Sequence, residues 1–414
     1  MALEATRTPV PSLVSSTRRA ARVDPLDAFA AAAGAETRAL WLRPAGGEAL
    51  VGTGSVCTFS GDVLSAWRTL TANSANASGP VLIGGLAFDP SAPSSALWAG
   101  FSTSRFVLPE QLLHLHSGVA WLTTNTVSGP QSLLSAPPPT TPGRTGLGQT
   151  AWRDLVAEVA GGIRDGTLGA NKVVLARTHQ VQTKDSIETV VRRLAAGYPA
   201  CTIFAIEVRG ACFVGATPER LVALQDRTAT TMALAGSGPR GASPDDDARL
   251  SAALLADKKE RAEHAVVVQA LREDLAPIAT RVIADAEPRI HTLPNLHHLI
   301  TPVRAQVKPG CDVLDLVAHL HPTPAVGGYP RQRALEVIRQ REQLDRGWYA
   351  APLGWVGATG QGEFVVGLRS ALVRDGVATL FAGCGIVGDS DPETELAESG
   401  WKLRPMLSAL GVDA

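Results

Sequence analysis

Cysteine is scarce and poorly placed for metal or disulfide chemistry. The five, Cys57, Cys201, Cys212, Cys311 and Cys384, are odd in number, scattered, and include no CxxC pair. That pattern speaks against a zinc ribbon and against a disulfide framework. An excess of either charge is also missing: 38 Lys+Arg stand against 39 Asp+Glu, a formal net charge of -1, so a basic coat for nucleic acid is not expected. No apolar run approaches the roughly 20 residues that a membrane-crossing helix needs. The start of the chain, MALEATRTPVPSLVSSTRRAARV, lacks a continuous apolar stretch, and Glu4 and two prolines oppose an amphipathic targeting helix. The expectation is a soluble protein of a reducing cytoplasm, with residues 1–25 as a flexible tail and neither membrane nor nucleic acid as partner. Internal repeats are absent, as is a steady βαβ alternation. The glycine-rich GSGPRG at 236–241 lacks the GK[ST] ending and the Rossmann spacing, so a nucleotide site is not expected there.

What the chain does contain is enough apolar material for a sizeable core, 45% of 414 residues against 19% charged, a globular balance. Its length suggests two or three domains at about 150 residues each, unless sheets are shared. Two low-complexity stretches, TANSANASG at 71–79 and SAPPPTTPGRTG at 135–146, are linker candidates. Beyond them, Trp152, Leu155, Val156, Val159 and Ile163 recur at helical spacing, and KVVLARTHQVQ reads as a strand. CTIFAIEV and ACFVGAT, separated by Arg209-Gly210, read as a hairpin. From 245 to about 282 the pattern predicts one long helix interrupted only by Pro277. EFVVGLRSALV and VATLFAGCGIV predict antiparallel strands joined across Arg374-Asp375-Gly376. A last helix opens at Ser390-Asp391-Pro392-Glu393, where Ser or Asp can cap and Pro suits the first turn. The mixture favours an α+β fold.

Several residues could carry chemistry, each with a plainer alternative. In the last helix Glu395, Glu398 and Lys402 cluster opposite Leu396, Leu403, Leu407 and Leu410; that polar face is either simply wet or part of a site. Glu263, in a helix rich in Val and Ala, could complete a carboxylate set for a hard cation such as Mg²⁺. Beside it, Glu260 reads as surface charge and His264 as a local hydrogen-bond partner. Lys172 opens an apolar strand, where it either snorkels to water or is desolvated into a base. Glu219, in GATPERL, is a turn carboxyl that a pocket could keep protonated, or a surface glutamate paired with Arg220. Arg369, in an apolar strand, suits a carboxylate ligand or an interior ion pair. AGCGIVG at 382–388 leads into a capped helix and leaves backbone N–H groups for an anion, or is a tight turn. His298 and His321 read as core histidines.

Taken in order, KVVLAR, GATPERL, ALAGSGPRG, DKKERAEH, TLPNLHHLITP, LHPTPAVGG, RGWYAAPLGW, GEFVVGLRSALV and AGCGIVGDSDPETELAESGWKL resemble the chorismate-utilising enzymes, and within them the isochorismate synthases. The likeness runs from about Trp152 to the C-terminus, with a weaker echo in VLIGGLAFDP and LWAGFSTSRFVLP. It implies a single catalytic domain over 26–414 with its catalytic motifs in 150–414, built from two layered, mainly antiparallel sheets with helices outside and a central site. It also implies that Lys172 is the general base that activates water and Glu219 the general acid that protonates the departing hydroxyl. Glu263 and Glu398 become Mg²⁺ ligands and Glu395 an outer or water-mediated carboxylate. Arg369, Tyr349 and the Gly385 backbone hold the enolpyruvyl carboxylate, and Lys402 is a cation near the ring carboxylate. The implied reaction is chorismate to isochorismate, a precursor for quinone or siderophore synthesis, with no protein partner required. Ammonia-using relatives usually lack a lysine at the base position, and one group places a nucleophilic lysine where this chain has Ala235. Salicylate synthases share acid and base but go on to eliminate pyruvate, and are the alternative; a non-catalytic chorismate-binding protein is a third reading. Gly238 and Asp257-Lys258-Lys259 depart from the usual family pattern.

Overall fold

The computed structural model describes residues 12–72, 79–92, 94–101, 103–128, 146–293 and 296–412. Most of the two low-complexity stretches, 73–78 and 135–145, lies outside the described residues. Among the described residues the strands form two antiparallel sheets, one of 11 strands and one of 10. The larger sheet carries Thr37–Arg43, Thr202–Val208, Ala211–Thr217, Ser370–Arg374, Val377–Ile386 and Lys172–Gln182 side by side. The other carries Leu296–Val307, Thr228–Pro239, Arg220–Gln225, Gly362–Val366, Pro352–Gly357 and Val81–Leu86.

Apolar side chains from both sheets meet in one core, with Leu175, Phe204 and Phe213 from the larger sheet and Val222, Leu353 and Phe364 from the smaller. A second core lies on the other face of the larger sheet. There the helices Ile187–Gly197 and Pro392–Ala409 bring Val190, Leu194, Leu403 and Met406 against Ala205, Val214 and Leu380. This sheet is therefore covered on both faces, which is why CTIFAIEV and KVVLA are continuous apolar runs rather than alternating ones. Strands from the first third of the chain pair with later ones in both sheets: Thr37–Arg43 with Thr202–Val208, and Val81–Leu86 with Pro352–Gly357. Each sheet thus combines strands from before residue 129 with strands from after residue 145.

The two hairpins form where the turn residues indicate. Arg209 and Gly210 have φ of 49° and 78°, and Asp375 and Gly376 have 50° and 73°. Two successive positive φ values match the right-handed twist of the flanking strands. Asp391 caps the last helix by accepting from the Thr394 N–H, with Pro392 in the first turn.

Three expectations are corrected. Residues 12–20, assigned to a tail, form a strand paired along its length with Val119–Ser128. The long helix expected over 245–282 is two helices, Pro244–Ala256 and Lys258–Leu275, followed by a strand, Ala279–Ala284. Asp257 is extended and its carboxylate accepts from the Lys259 and Glu260 N–H groups, so it starts a new helix in the middle of the run. Pro277 then stops the second helix, as a residue without an N–H must. Finally, EFVVGLRSALV is not one strand. It breaks at Gly367-Leu368-Arg369 into Gly362–Val366 and Ser370–Arg374, which belong to different sheets.

Candidate active site

That break matters because the chain crosses between sheets twice at neighbouring points. It leaves the larger sheet at Pro218-Glu219, between Ala211–Thr217 and Arg220–Gln225, and returns at Gly367-Leu368-Arg369. The crossings are laced together: the Val366 N–H donates to the Glu219 carbonyl at 3.0 Å, the Ala216 N–H to the Arg369 carbonyl at 3.2 Å, and the Thr217 hydroxyl to the Val366 carbonyl at 2.7 Å. Arg369 has a φ of 48°, a left-handed conformation that side chains other than glycine rarely adopt. The expectation of an extended strand residue is corrected here; the turn re-aims the guanidinium.

Both crossings open onto a cavity of about 180 Å³. Every candidate from the sequence lines it: Lys172, Glu219, Glu263, Tyr349, Arg369, Gly385, Glu395, Glu398 and Lys402. They arrive from separate elements. Lys172 opens the strand Lys172–Gln182, and Gly385 lies on its neighbour Val377–Ile386, opposite Val174. Glu263 projects from the helix Lys258–Leu275, whereas Glu395, Glu398 and Lys402 share the helix Pro392–Ala409. Gly385 is required to be small, since a Cβ there would fall 2.5 Å from Lys172 Cε. Tyr349 stacks on Phe381 at 5.2 Å between ring centroids, which fixes its ring.

Lys172 does not snorkel. It is only 9% exposed, and its ammonium is ion-paired with Glu263. Lys402 pairs with Glu398 at 2.6 Å and donates to the Gly383 carbonyl at 2.8 Å. Glu219 is 7% exposed. Burial pushes its carboxyl up to about 7, against the pull of Arg369, Lys172 and Lys402. Burial likewise pushes the Tyr349 hydroxyl up to about 12, so it stays a donor. Glu398 behaves the opposite way: burial works against its charge, but the combined pull of Lys402, Arg369 and Lys172 holds its pKa below the ordinary carboxylate value. Burial raises Glu395, which accepts a 2.7 Å hydrogen bond from the Ser390 hydroxyl. The polar face of the last helix is therefore a cavity wall, and Glu219 is not a surface partner of Arg220, which pairs instead with Glu363 at 2.9 Å.

Carboxylates thus enter from two helices, an all-oxygen donor set that fits a hard divalent cation. One oxygen each from Glu395 and Glu398 lies within 4.8 Å of the other and of Cys384 Sγ. The Cys384 thiol, which burial raises to about 12, is a soft ligand that suits softer metals than Mg²⁺.

Three lining residues escaped the sequence reading. Glu260, read as surface charge, accepts from the Ser237 N–H at 3.2 Å, and burial followed by repulsion from Glu263 raises its pKa. Ser237 and His298 sit opposite each other on paired strands, Oγ to Nδ1 2.9 Å, at the cavity wall. Burial lowers His298 to about 3, so it is a neutral hydrogen-bonding group. A register argument pairing GSGPRG with NLHHL could have located it. His264, by contrast, meets the Ala235 carbonyl and Thr301 hydroxyl as expected of a structural histidine, and His321 Nε2 donates to the Phe88 carbonyl at 2.9 Å.

Residues 1–137 and 130–411 match the family described as "Chorismate binding enzyme". This chain belongs to that family. The "Isochorismate synthase MenF" of Bacillus subtilis is 33% identical over 450 residues, 96% of this chain and 93% of that protein. The "Salicylate biosynthesis isochorismate synthase" of Pseudomonas aeruginosa is 46% identical over 261 residues, 63% of this chain but only 54% of that protein, about half its length. The structure of the menaquinone-specific isochorismate synthase MenF from Escherichia coli superposes with a TM-score of 0.83 at 25% identity, covering 98% of this chain and 96% of the other. The chorismate-binding fold accounts for the two layered sheets and for a cavity between them.

Proposed function

We propose that this chain is a magnesium-dependent isochorismate synthase, an isomerase with one catalytic domain. The observation that carries it is the placement of a buried lysine and a buried, proton-holding glutamate in one cavity with carboxylates and cations. Relatives named as isochorismate synthases, matched along most of both chains, support the same reading.

In this reading water adds at C2 of chorismate while the C4 hydroxyl leaves and the ring double bonds shift. Lys172 takes a proton from the attacking water and needs its neutral form to do so. Glu219 gives its proton to the departing hydroxyl, which leaves as water. Arg369 and the Tyr349 hydroxyl bind the enolpyruvyl carboxylate with the Gly385 backbone, and Lys402 adds positive charge toward the ring carboxylate. Glu263 and Glu398 would hold Mg²⁺, with Glu395 as an outer or water-mediated ligand; the ion would neutralise the ring carboxylate and draw electron density from the ring. A dianionic substrate needs this local positive charge because the whole chain supplies almost none. Ala235 at the cavity wall offers no amine, and Lys172 supplies the base that ammonia-using relatives usually lack, so water is taken as the nucleophile. The five free thiols, three of them buried, suit the reducing cytoplasm in which we place the protein.

The deciding experiment incubates purified protein with chorismate and Mg²⁺ and separates the products. Isochorismate alone is the expected result. Salicylate with pyruvate would convert the assignment to a salicylate synthase, and binding without turnover would make the protein a chorismate binder. A second expectation concerns the ion. Glu263→Gln should raise the Mg²⁺ concentration for half-maximal activity by about tenfold or more; an unchanged Mg²⁺ titration would remove Glu263 from the donor set.

A further inference from the structure

Far along the larger sheet, His114 and His116 lie two residues apart on the strand Gln111–His116 and so share a face. The adjacent strand Glu48–Thr53 brings Glu48 beside them, since Ala49 lies opposite Leu115. One donor atom from each of Glu48, His114 and His116 lies within 4.8 Å of the others. None of the three lines the catalytic cavity.

We propose that Glu48, His114 and His116 form a second metal site, for a borderline divalent cation such as Zn²⁺, that staples these two strands together. Two imidazoles with one carboxylate are a ligand set for such ions and not for Mg²⁺, which prefers oxygen. Zinc bonds of about 2.0–2.1 Å to nitrogen place tetrahedral donors about 3.3 Å apart. His116 Nδ1 and Glu48 Oε1 already stand at 3.4 Å. The Nε2 of His114 is buried and, among the described residues, meets no hydrogen-bond partner, a rarity that calls for an explanation. Arg43 is ion-paired with the other oxygen of Glu48, which orients the carboxylate and leaves Oε1 toward the histidines. The two histidines are held on a rigid hairpin, since the strand turns immediately at Ser117-Gly118, with φ of 50° and 78°, into Val119–Ser128. The ligands come from segments more than sixty residues apart in sequence, so an ion here would tie the first strands of the chain to the next hairpin.

The test is calorimetric titration of chelator-treated, full-length protein with ZnCl₂ in saturating MgCl₂, which keeps the catalytic carboxylates engaged. One Zn²⁺ per chain is expected. His116→Ala, at an exposed position, and the isosteric Glu48→Gln should each weaken it at least about tenfold. Glu263→Gln should bind zinc like the wild type, and His116→Ala should turn over chorismate at the wild-type rate. Failure to take up zinc, uptake unchanged in both His116→Ala and Glu48→Gln, or uptake lost in Glu263→Gln would each overturn the assignment. Because the readout is zinc affinity, it stands or falls separately from the product assay.

Discussion

Glutamine in place of Glu219 should yield a protein that is severely impaired in turnover yet more stable than the wild type above neutral pH. The folded-state pKa of Glu219 is raised from 4.5 to about 7, so the fold favours the neutral carboxyl. Its stabilisation is complete below pH 4.5 and is lost as pH rises to 7. A shift of that size corresponds to about 3 kcal/mol above pH 7, and glutamine never incurs the charge. Urea unfolding of the metal-free proteins should therefore give similar stabilities near pH 5 and a clear advantage for the variant at pH 8. In the proposed mechanism the same group sets the activity. A general acid contributes about 10²–10⁴-fold, and only its protonated form can act, so wild-type kcat/KM should fall as pH passes above about 7. That limb should vanish from the residual activity of the variant. Equal stability at pH 8 would mean that Glu219 is not charged at a cost, and full activity would mean that it is not the proton donor.

The second large effect is expected at Lys172. Lys172→Gln should lower kcat by about 10²–10⁴-fold while the far-UV circular dichroism spectrum and KM for chorismate stay close to the wild type. The ammonium is ion-paired with Glu263, so the substitution also frees a carboxylate at the cavity wall. Mg²⁺ dependence should consequently survive, and that distinguishes loss of a base from collapse of the site. A variant that retains most of its turnover would strip Lys172 of its role; one that loses activity through unfolding would be exposed by its spectrum.

Much of this site was legible in the order of short motifs. Lys172, Glu219, Glu263, Arg369 and Glu398 lie in five separated segments, and nothing in their spacing alone distinguishes a site from five surface or core residues. Their joint order supplied the expectation, and the structure brings them to one cavity. Local rules worked where local energies dominate. The turns at Arg209-Gly210 and Asp375-Gly376 formed because short loops between apolar strands leave few backbone solutions, and Asp391 capped its helix because the first N–H groups need an acceptor.

The failures share a cause. Periodicity could not see the cap at Asp257, because the flanking residues are good helix formers on both sides of it; one carboxylate accepting two N–H groups overrides their preference. Nor could it see that EFVVGLRSALV changes sheets at Arg369, since both halves are equally apolar. Residues 12–20 look polar and tail-like alone, and are ordered by their register with Val119–Ser128.

The amino-acid order by itself determined the α+β class, the hairpins, the cap of the last helix and the family to which the chain belongs, all properties carried by neighbours within a few residues or by the order of short motifs along the chain. Tertiary structure alone decided which carboxylates are desolvated, that Lys172 meets Glu263 rather than water, and that Glu260 and the Ser237–His298 pair join the cavity wall. The reason is physical: a charge's free energy depends on what surrounds it in three dimensions, and those surroundings are assembled here from two sheets and two helices that meet only after the chain has folded.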